Sequence, residues 1–344
     1  MSIDPLLSEF RIKNLVLKNR IVSTPHEPAY SEDGLAKDRY RAYHVEKAKG
    51  GVGMTMTAGS ALVSRESAPA FGNLLLWKDE TVTWLRRLTD EVHEYGTAVM
   101  IQLSHMGMRS SHYQHEWIPV LAAGNLREQT HRSIPKAAER FDMDRIKDDY
   151  VSAAQKMVEA GMDGLELYMA GHFLDSFLTP FYNNRDDEYG GSLENRMRYP
   201  LEVVRAVRAA VPEDFIVGVR MSFDEERKNG VDFDDAVAIG HSFVAAGIDY
   251  INGQMGSIEH EYALSKLIPV MGMPSAPHVE KIGEAKRKID VPFIHAAKIA
   301  DVPTARYAIE AGLVDLVGMT RAMLADPYLV KKIQEGREDE IRPC

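Results

Sequence analysis

Residues 164–208 read GLELYMAGHFLDSFLTPFYNNRDDEYGGSLENRMRYPLEVVRAVR, and this stretch decides the fold. It opens on a short apolar run ending at Tyr168, the pattern of a strand buried on both faces. A polar loop follows, carrying His172, Asp175, Asn183, Arg185, Asp187, Tyr189 and the pair Gly190-Gly191. Ser192 then stands where a helix N-cap belongs, ahead of a segment with helical periodicity. Strand, loop and helix in that order form the repeating unit of an α/β protein.

The unit recurs in both directions. Strands are expected at Arg20–Thr24, Val52–Ala58, Thr97–Leu103, Asp163–Tyr168, Phe215–Met221, Asp249–Gln254, Pro292–Ala297 and Val314–Met319. Helical periodicity lies between them at 38–49, 80–95, 144–160, 195–210, 233–246, 278–288 and 303–311, with a last helix at 327–335. Eight strands, each followed by a helix, predict a single (β/α)8 barrel over residues 1–344. A doubly wound sheet is the rival, but Gly50-Gly51-Val52-Gly53 precedes a strand and lacks the dinucleotide-binding spacing. The longest irregular stretch, about 105–142, reads as a large loop over the barrel mouth.

Composition narrows the function. A net charge of −10 argues against nucleic acid or an anionic membrane as partner. No apolar stretch reaches the roughly 20 residues that span a bilayer, and residues 1–10 lack the form of a signal peptide. The only cysteine is Cys344, so no internal disulfide or thiolate metal cluster is expected, and the cytosol is the expected compartment. His112, His115 and Glu116 sit in the long loop without a third ligand at metal spacing, so no metal site is assigned.

In such a barrel, chemistry gathers where strands end at the carboxyl face. Those ends carry Thr24-Pro25-His26, Ala58-Gly59, Gln102, Tyr168, Arg220, Gln254, Ala297-Lys298 and Gly318 to Arg321. Polar groups closing apolar runs suit a flat, polar cofactor. The side-chain amide of Gln102 offers both a donor and an acceptor to the edge of a bound ring; the alternative is a glutamine satisfying loop backbone. Arg220 supplies a fixed cation to that edge, or a salt bridge closing the barrel to Glu166. Ala297, Lys298, Gly318, Thr320 and Arg321 end strands seven and eight, where barrels often hold phosphate. Arg321 offers a guanidinium fork and Lys298 a point charge.

The loop grammar quoted above resembles that of the old yellow enzyme superfamily of flavin mononucleotide (FMN) oxidoreductases, and the likeness covers nearly the whole chain. It implies FMN rather than FAD, since no adenine-binding segment is visible. Thr24, Pro25, His26 and Ala58 join the cofactor set in that likeness. A rigid structural turn is the alternative for the His26–Tyr30 segment. Where the trimethylamine dehydrogenase branch carries a cysteine that bonds the flavin, this sequence has Glu27, which implies non-covalent FMN. Many ene-reductases read His-x-x-Asn-x-Tyr after strand four; here the order is Tyr168-x-x-x-His172, one residue shorter. An imidazole is a poorer acid and a better base than a positioned phenol. Tyr168 and His172 are therefore the catalytic candidates, with packing under the loop as the alternative.

Short blocks at 26–30, 39–44, 295–299 and 317–322 are similar to the N-methylproline and dimethylglycine demethylase branch. That branch implies oxidative N-demethylation of a small N-methyl amino acid by hydride transfer to flavin N5. The implied substrate contacts are Glu27, Tyr30, His105, Arg109 and His260. An NAD(P)H-dependent ene-reductase acting on an activated C=C bond is the alternative, and a flavin-free scaffold barrel is a third. In multidomain relatives a cysteine run holding an Fe–S cluster begins where this chain reaches Cys344. One cysteine cannot hold four iron ligands, so no cluster is expected in these residues, and a longer natural protein is one expectation. The electron acceptor or donor, the exact substrate and the subunit number stay open, a homo-oligomer among the states allowed.

Overall fold

The computed structural model describes residues 4–70, 72–109, 119–258 and 261–344. Eight parallel strands close a barrel in chain order: β1 Ile21–Ser23, β2 Met54–Leu62, β3 Ala98–Ser104, β4 Gly164–Met169, β5 Ile216–Ser222, β6 Tyr250–Gln254, β7 Phe293–His295 and β8 Leu316–Gly318. The helices that follow them are α1 Asp38–Lys49, α2 Thr81–His93, α3 Arg140–Glu159, α4 Leu193–Ala210, α5 Phe233–Ala245, α6 Val279–Lys288, α7 Val302–Glu310 and α8 Leu329–Gln334. The expected barrel is the observed one. Among the described residues no helix is long and apolar enough to cross a membrane.

Each helix buries one stripe. In α2 the buried positions are Thr81, Leu85, Leu88, Thr89 and Val92, the spacing of a single helix face. Ser192 caps α4 as expected, its Oγ accepting the Asn195 N–H at 3.3 Å. Alternation along the strands splits the core into two. Val99, Ile101 and Leu103 of β3 face the helices, while Met100 points inward with Met54, Met56 and Ile216. A two-stranded hairpin, Phe10–Ile12 with Leu15–Leu17, adds Ile12 and Leu17 to that inner cluster and closes the amino end. Tyr250 fits inside only because β5 has glycine opposite, since a Cβ on Gly218 would lie 2.1 Å from the Tyr250 ring.

Above this apolar plug the interior turns polar. Glu166 is fully buried and accepts hydrogen bonds from Gln102 Nε2 at 2.7 Å, Asn252 Nδ2 at 2.9 Å and Tyr250 OH at 3.1 Å. Burial raises its carboxyl above the ordinary value, while the Arg220 charge and these three bonds pull it down. The pairing registers place Gln102 level with Glu166, and Tyr168 and Asn252 level with Arg220. The polar layer thus forms the floor of the carboxyl-end mouth. Arg220 does not close the barrel by bonding Glu166 directly; its Nε donates to Gln254 Oε1 at 2.7 Å.

Candidate active site

A cavity of about 670 Å³ opens at the carboxyl end of the strands. Its wall includes the β1 end at Thr24 to Glu27, Gln102, Tyr168 and His172, Arg109, Arg220, and the β7 and β8 ends with Ala297, Lys298, Gly318, Thr320 and Arg321. Most of the residues singled out from sequence therefore meet in one space.

The β2 end shapes one side. The strand was expected to stop at Ala58, but it runs to Leu62 through a register shift between Thr57 and Ala61. Ala58 and Ser60 take positive φ of 54° and 129°, so the chain bulges there. Tyr40 OH of α1 accepts the Ala58 N–H at 2.8 Å and fixes the bulge. Gly59 packs against the next segment so closely that a Cβ would lie 2.7 Å from Glu27 N. Ser60 reaches His172 Nε2 at 3.1 Å. Gly59 and Ser60, the latter missed by sequence reasoning, line the cavity and Ala58 lies behind them. A glycine inside a strand-like run was the available signal.

His172 is held as a neutral ring. Its Nδ1 must donate to the Gly171 carbonyl at 2.8 Å, so Nε2 accepts the Ser60 hydroxyl. Burial, then the Arg109 charge, pushes its pKa down to about 3. Tyr168 meets it edge-on, ring centroids 4.7 Å apart. Burial raises the Tyr168 phenol above its ordinary value, so it is protonated at neutral pH. His26 is built like His172: Nδ1 donates to Thr24 O at 3.0 Å, Nε2 accepts from Tyr43 OH, and burial with the Lys47 charge lowers it to about 3.

The motif that decided the fold is mostly scaffold. Asn183 Nδ2 donates to Phe177 O and Tyr189 O, and Arg185 Nη1 donates to Ala123 O and Ala138 O. Those bonds clamp the long mouth loop onto the β4 loop. Asp175 accepts the Gly171 N–H at 2.7 Å, which places His172 beside the cavity. Arg109 of the long loop is buried beside Glu128 at 3.2 Å, with His131 on the other carboxylate oxygen at 3.3 Å. Among the described residues the Arg109 Nε has no hydrogen-bond partner, while its Nη2 is ion-paired with Glu128. The N–H left open on the cavity wall is a donor for a bound anion.

Four expectations need correction. His105 does not line the cavity: its Nδ1 accepts the Gly107 N–H at 3.0 Å and its Nε2 faces Glu66 at 3.6 Å, beneath the loop. Tyr30 is taken up outside, stacked under the Arg39 guanidinium at 3.9 Å and edge-on to Tyr43. The Lys298 ammonium is already spent, donating to the carbonyls of Val270, Met271 and Met273. It therefore pins the 267–273 segment over the β7 end, where Leu267, Ile268, Pro269 and Met271 join the wall. Ala58 is the fourth, for the reason given above. His260, His112, His115 and Glu116 lie outside the described residues.

Residues 5–340 match the NADH:flavin oxidoreductase / NADH oxidase family. The "Probable N-methylproline demethylase" of Rhizobium meliloti (strain 1021) is 50% identical over 99% of this chain and 50% of its own length. The "Multifunctional alkene reductase/demethylase OYE" of Caballeronia cordobensis is 42% identical over 100% of this chain and 51% of its own length. The structure of histamine dehydrogenase from Rhizobium sp. 4-9 superposes with a TM-score of 0.86 at 27% identity, covering 99% of this chain and 49% of that one. The chain spans about half the length of these relatives. With its barrel and this likeness across nearly every residue, the chain belongs to the NADH:flavin oxidoreductase / NADH oxidase family.

Proposed function

We propose that the chain binds FMN in this cavity and oxidatively demethylates a small N-methyl amino acid. The observation that carries the reading is the 50% identity, over 99% of the chain, to a relative named for N-methylproline demethylation. The cavity suits the cofactor on physical grounds. Its volume falls within the roughly 300–1,000 Å³ of small-molecule sites. Gly59 and Gly318 keep close walls that a Cβ would block, the latter at 2.7 Å from Thr24 Cγ2 and Ala296 Cβ. Gln102 and Arg220 offer an amide and a cation to the pyrimidine edge. Thr24, Pro25, His26 and the Gly59-Ser60 bulge bound the ring, and Ala297, Gly318, Thr320 and Arg321 take the phosphate.

When bound, FMN supplies the acceptor for the hydride that leaves the N-methyl carbon; Glu27 offers it no thiolate, so the attachment is non-covalent. The chain's own residues orient the substrate. Arg109 directs its open Nε–H to the substrate carboxylate, and Tyr168 with the neutral His172 walls the amine end and excludes water until the iminium forms. Water then splits the iminium into the demethylated amine and formaldehyde. NAD(P)H-driven reduction of an activated C=C bond is the second reading, favoured by the relative named for both alkene reduction and demethylation. The protonated Tyr168 phenol is the acid that reading requires.

An anaerobic visible spectrum separates the two. Bleaching of the flavin band by N-methylproline or dimethylglycine alone is the expected result. Bleaching by NADPH alone moves the assignment to ene reduction. The phosphate corner has its own check by fluorescence titration. Arg321→Ala is expected to weaken FMN binding by about tenfold or more, whereas Lys298→Met, whose donors are spent on carbonyls, changes it by less than about threefold. Equal losses in both variants would return Lys298 to the phosphate set.

A further inference from the structure

Among the described residues lining the cavity, the charged side chains are cationic at Arg109, Arg220, Lys298 and Arg321, and the one acidic side chain is Glu27. The turn that carries Glu27 is built to hold it. Pro25 and Pro28 flank it, and Ala29 adopts a left-handed φ of 56°. The Ala29 N–H donates to Glu27 Oε1 at 2.9 Å. The glycine of the β2 bulge packs against its backbone from behind. With Oε1 tied, Oε2 is buried and has no hydrogen-bond partner among the described residues. A buried acceptor left open is costly unless a ligand donates to it.

We propose that Glu27 is the ammonium receptor of the site and the base that frees the substrate's amine, its Oε2 accepting first the N–H hydrogen bond and then the proton. This rests on the amine-oxidising reading above. The step balances: the substrate's N–H bond breaks, an O–H bond forms on Glu27, and the electron pair stays on nitrogen, with nothing oxidised. That lone pair is what lets a hydride depart from the adjacent carbon. His172 is not free for the task, because both ring nitrogens are bonded and Arg109 opposes its protonation. Tyr168 already holds its proton. Tyr40 of α1 is the titratable group electrostatically linked to Glu27 and His26 is its chain neighbour, while Tyr168, His172, His131, Arg109, Arg220, Lys298 and Arg321 share its cavity. Burial lifts the Glu27 carboxyl to about 7, poised for proton exchange near neutrality.

The test compares FMN-loaded wild type with Glu27→Gln and Glu27→Asp by two readouts. Calorimetry gives the dissociation constants of proline and glycine, which carry the ammonium group and no N-methyl carbon. Stopped-flow absorbance gives the pH profile of flavin reduction by N-methylproline and dimethylglycine. Glu27→Gln is expected to weaken ammonium binding by about tenfold and to slow reduction by about 100-fold at neutral pH. Its rate then climbs with pH towards the wild-type rate, as the amine loses its proton unaided, while Glu27→Asp keeps the wild-type profile shape. Unchanged binding and an unchanged profile in Glu27→Gln overturn the proposal, as does a wild type with no affinity for either ammonium ligand. If neither N-methyl compound reduces the wild type yet Glu27→Gln still loses ammonium affinity, the receptor stands and the demethylation reading falls.

Discussion

Acidification from neutrality towards pH 4 is expected to destabilise the fold steeply, and four imidazoles carry most of the effect. Burial holds His26 and His172 at about 3 and His295 at about 4, and pushes His44 well below the ordinary 6.5. The Lys47 charge adds to the effect at His26 and His44. In the unfolded chain these rings bind a proton near 6.5, so below that pH the unfolded state holds more protons. Their contribution is full above 6.5 and is lost as pH falls towards the folded values, by about 1.4 kcal/mol per pH unit for each ring. Geometry says why the rings resist. The Nε2 atoms of His44 and His295 are buried without a partner, and a proton there would find no acceptor. Total stabilities of about 5–15 kcal/mol cannot absorb several such losses, so unfolding is expected well above the carboxylate range. His93, raised by Asp163, runs the other way but is half-exposed and weighs little. Glu27 also opposes the trend: its folded value is raised, so its contribution is lost as pH rises from about 4.5 to 7. Urea midpoints measured from about pH 7 down to 5 should fall throughout, and His295→Gln should flatten the slope by about one proton. A level midpoint over that range would mean that these rings are solvated in solution.

The barrel was legible because parallel strands and their helices write two different periods. β4 was expected at Asp163–Tyr168 and occupies Gly164–Met169, and the other strands agree comparably apart from β2. The polar strand ends were legible for the same reason, since Gln102, Tyr168 and Arg220 interrupt runs that are otherwise apolar. What lay beyond reading was pairing between distant segments. Nothing local says that Lys298 spends its donors on the 270–273 carbonyls, or that His105 turns down towards Glu66. The face of α1 against the barrel reads as an amphipathic stripe, yet it meets the strands through His44 with Thr55 and Lys47 with Ser23. Periodicity shows which face is buried and stays silent on its partners. The β2 bulge escaped for a related reason: Ala58, Gly59 and Ser60 depart from the strand path because Tyr40 and the Glu27 turn hold them there, and both lie elsewhere in the chain.

Glu166→Ala is expected to cost about 3–5 kcal/mol, because it removes the common acceptor of a buried network. Gln102, Asn252 and Tyr250 each lose a hydrogen bond, and the Arg220 charge loses its nearest buried counterpart in the polar layer. Glu166, Tyr250 and Asn252 are all buried, and the network meets the cavity only through Gln102 and Arg220. Glu166→Gln separates stability from function. Its amide oxygen can serve Asn252 and Tyr250 together, as Oε2 does now. Its amide nitrogen then confronts Gln102 Nε2, donor against donor, and the relief is for Gln102 to turn its amide over. The core keeps its bonds, so the loss of stability stays near 1 kcal/mol. The face that Gln102 shows to the cavity, however, exchanges acceptor for donor, and a flavin edge that fitted one pattern meets the other. FMN affinity measured by fluorescence should then fall about tenfold or more in a protein whose urea midpoint has hardly moved. Tight FMN binding in Glu166→Gln would show that Gln102 does not read the cofactor, and the bland role of satisfying the barrel interior would be all that is left to it. The buried carboxylate thus reaches the site only through the orientation of one amide, which is why the two measurements must be made on the same variant.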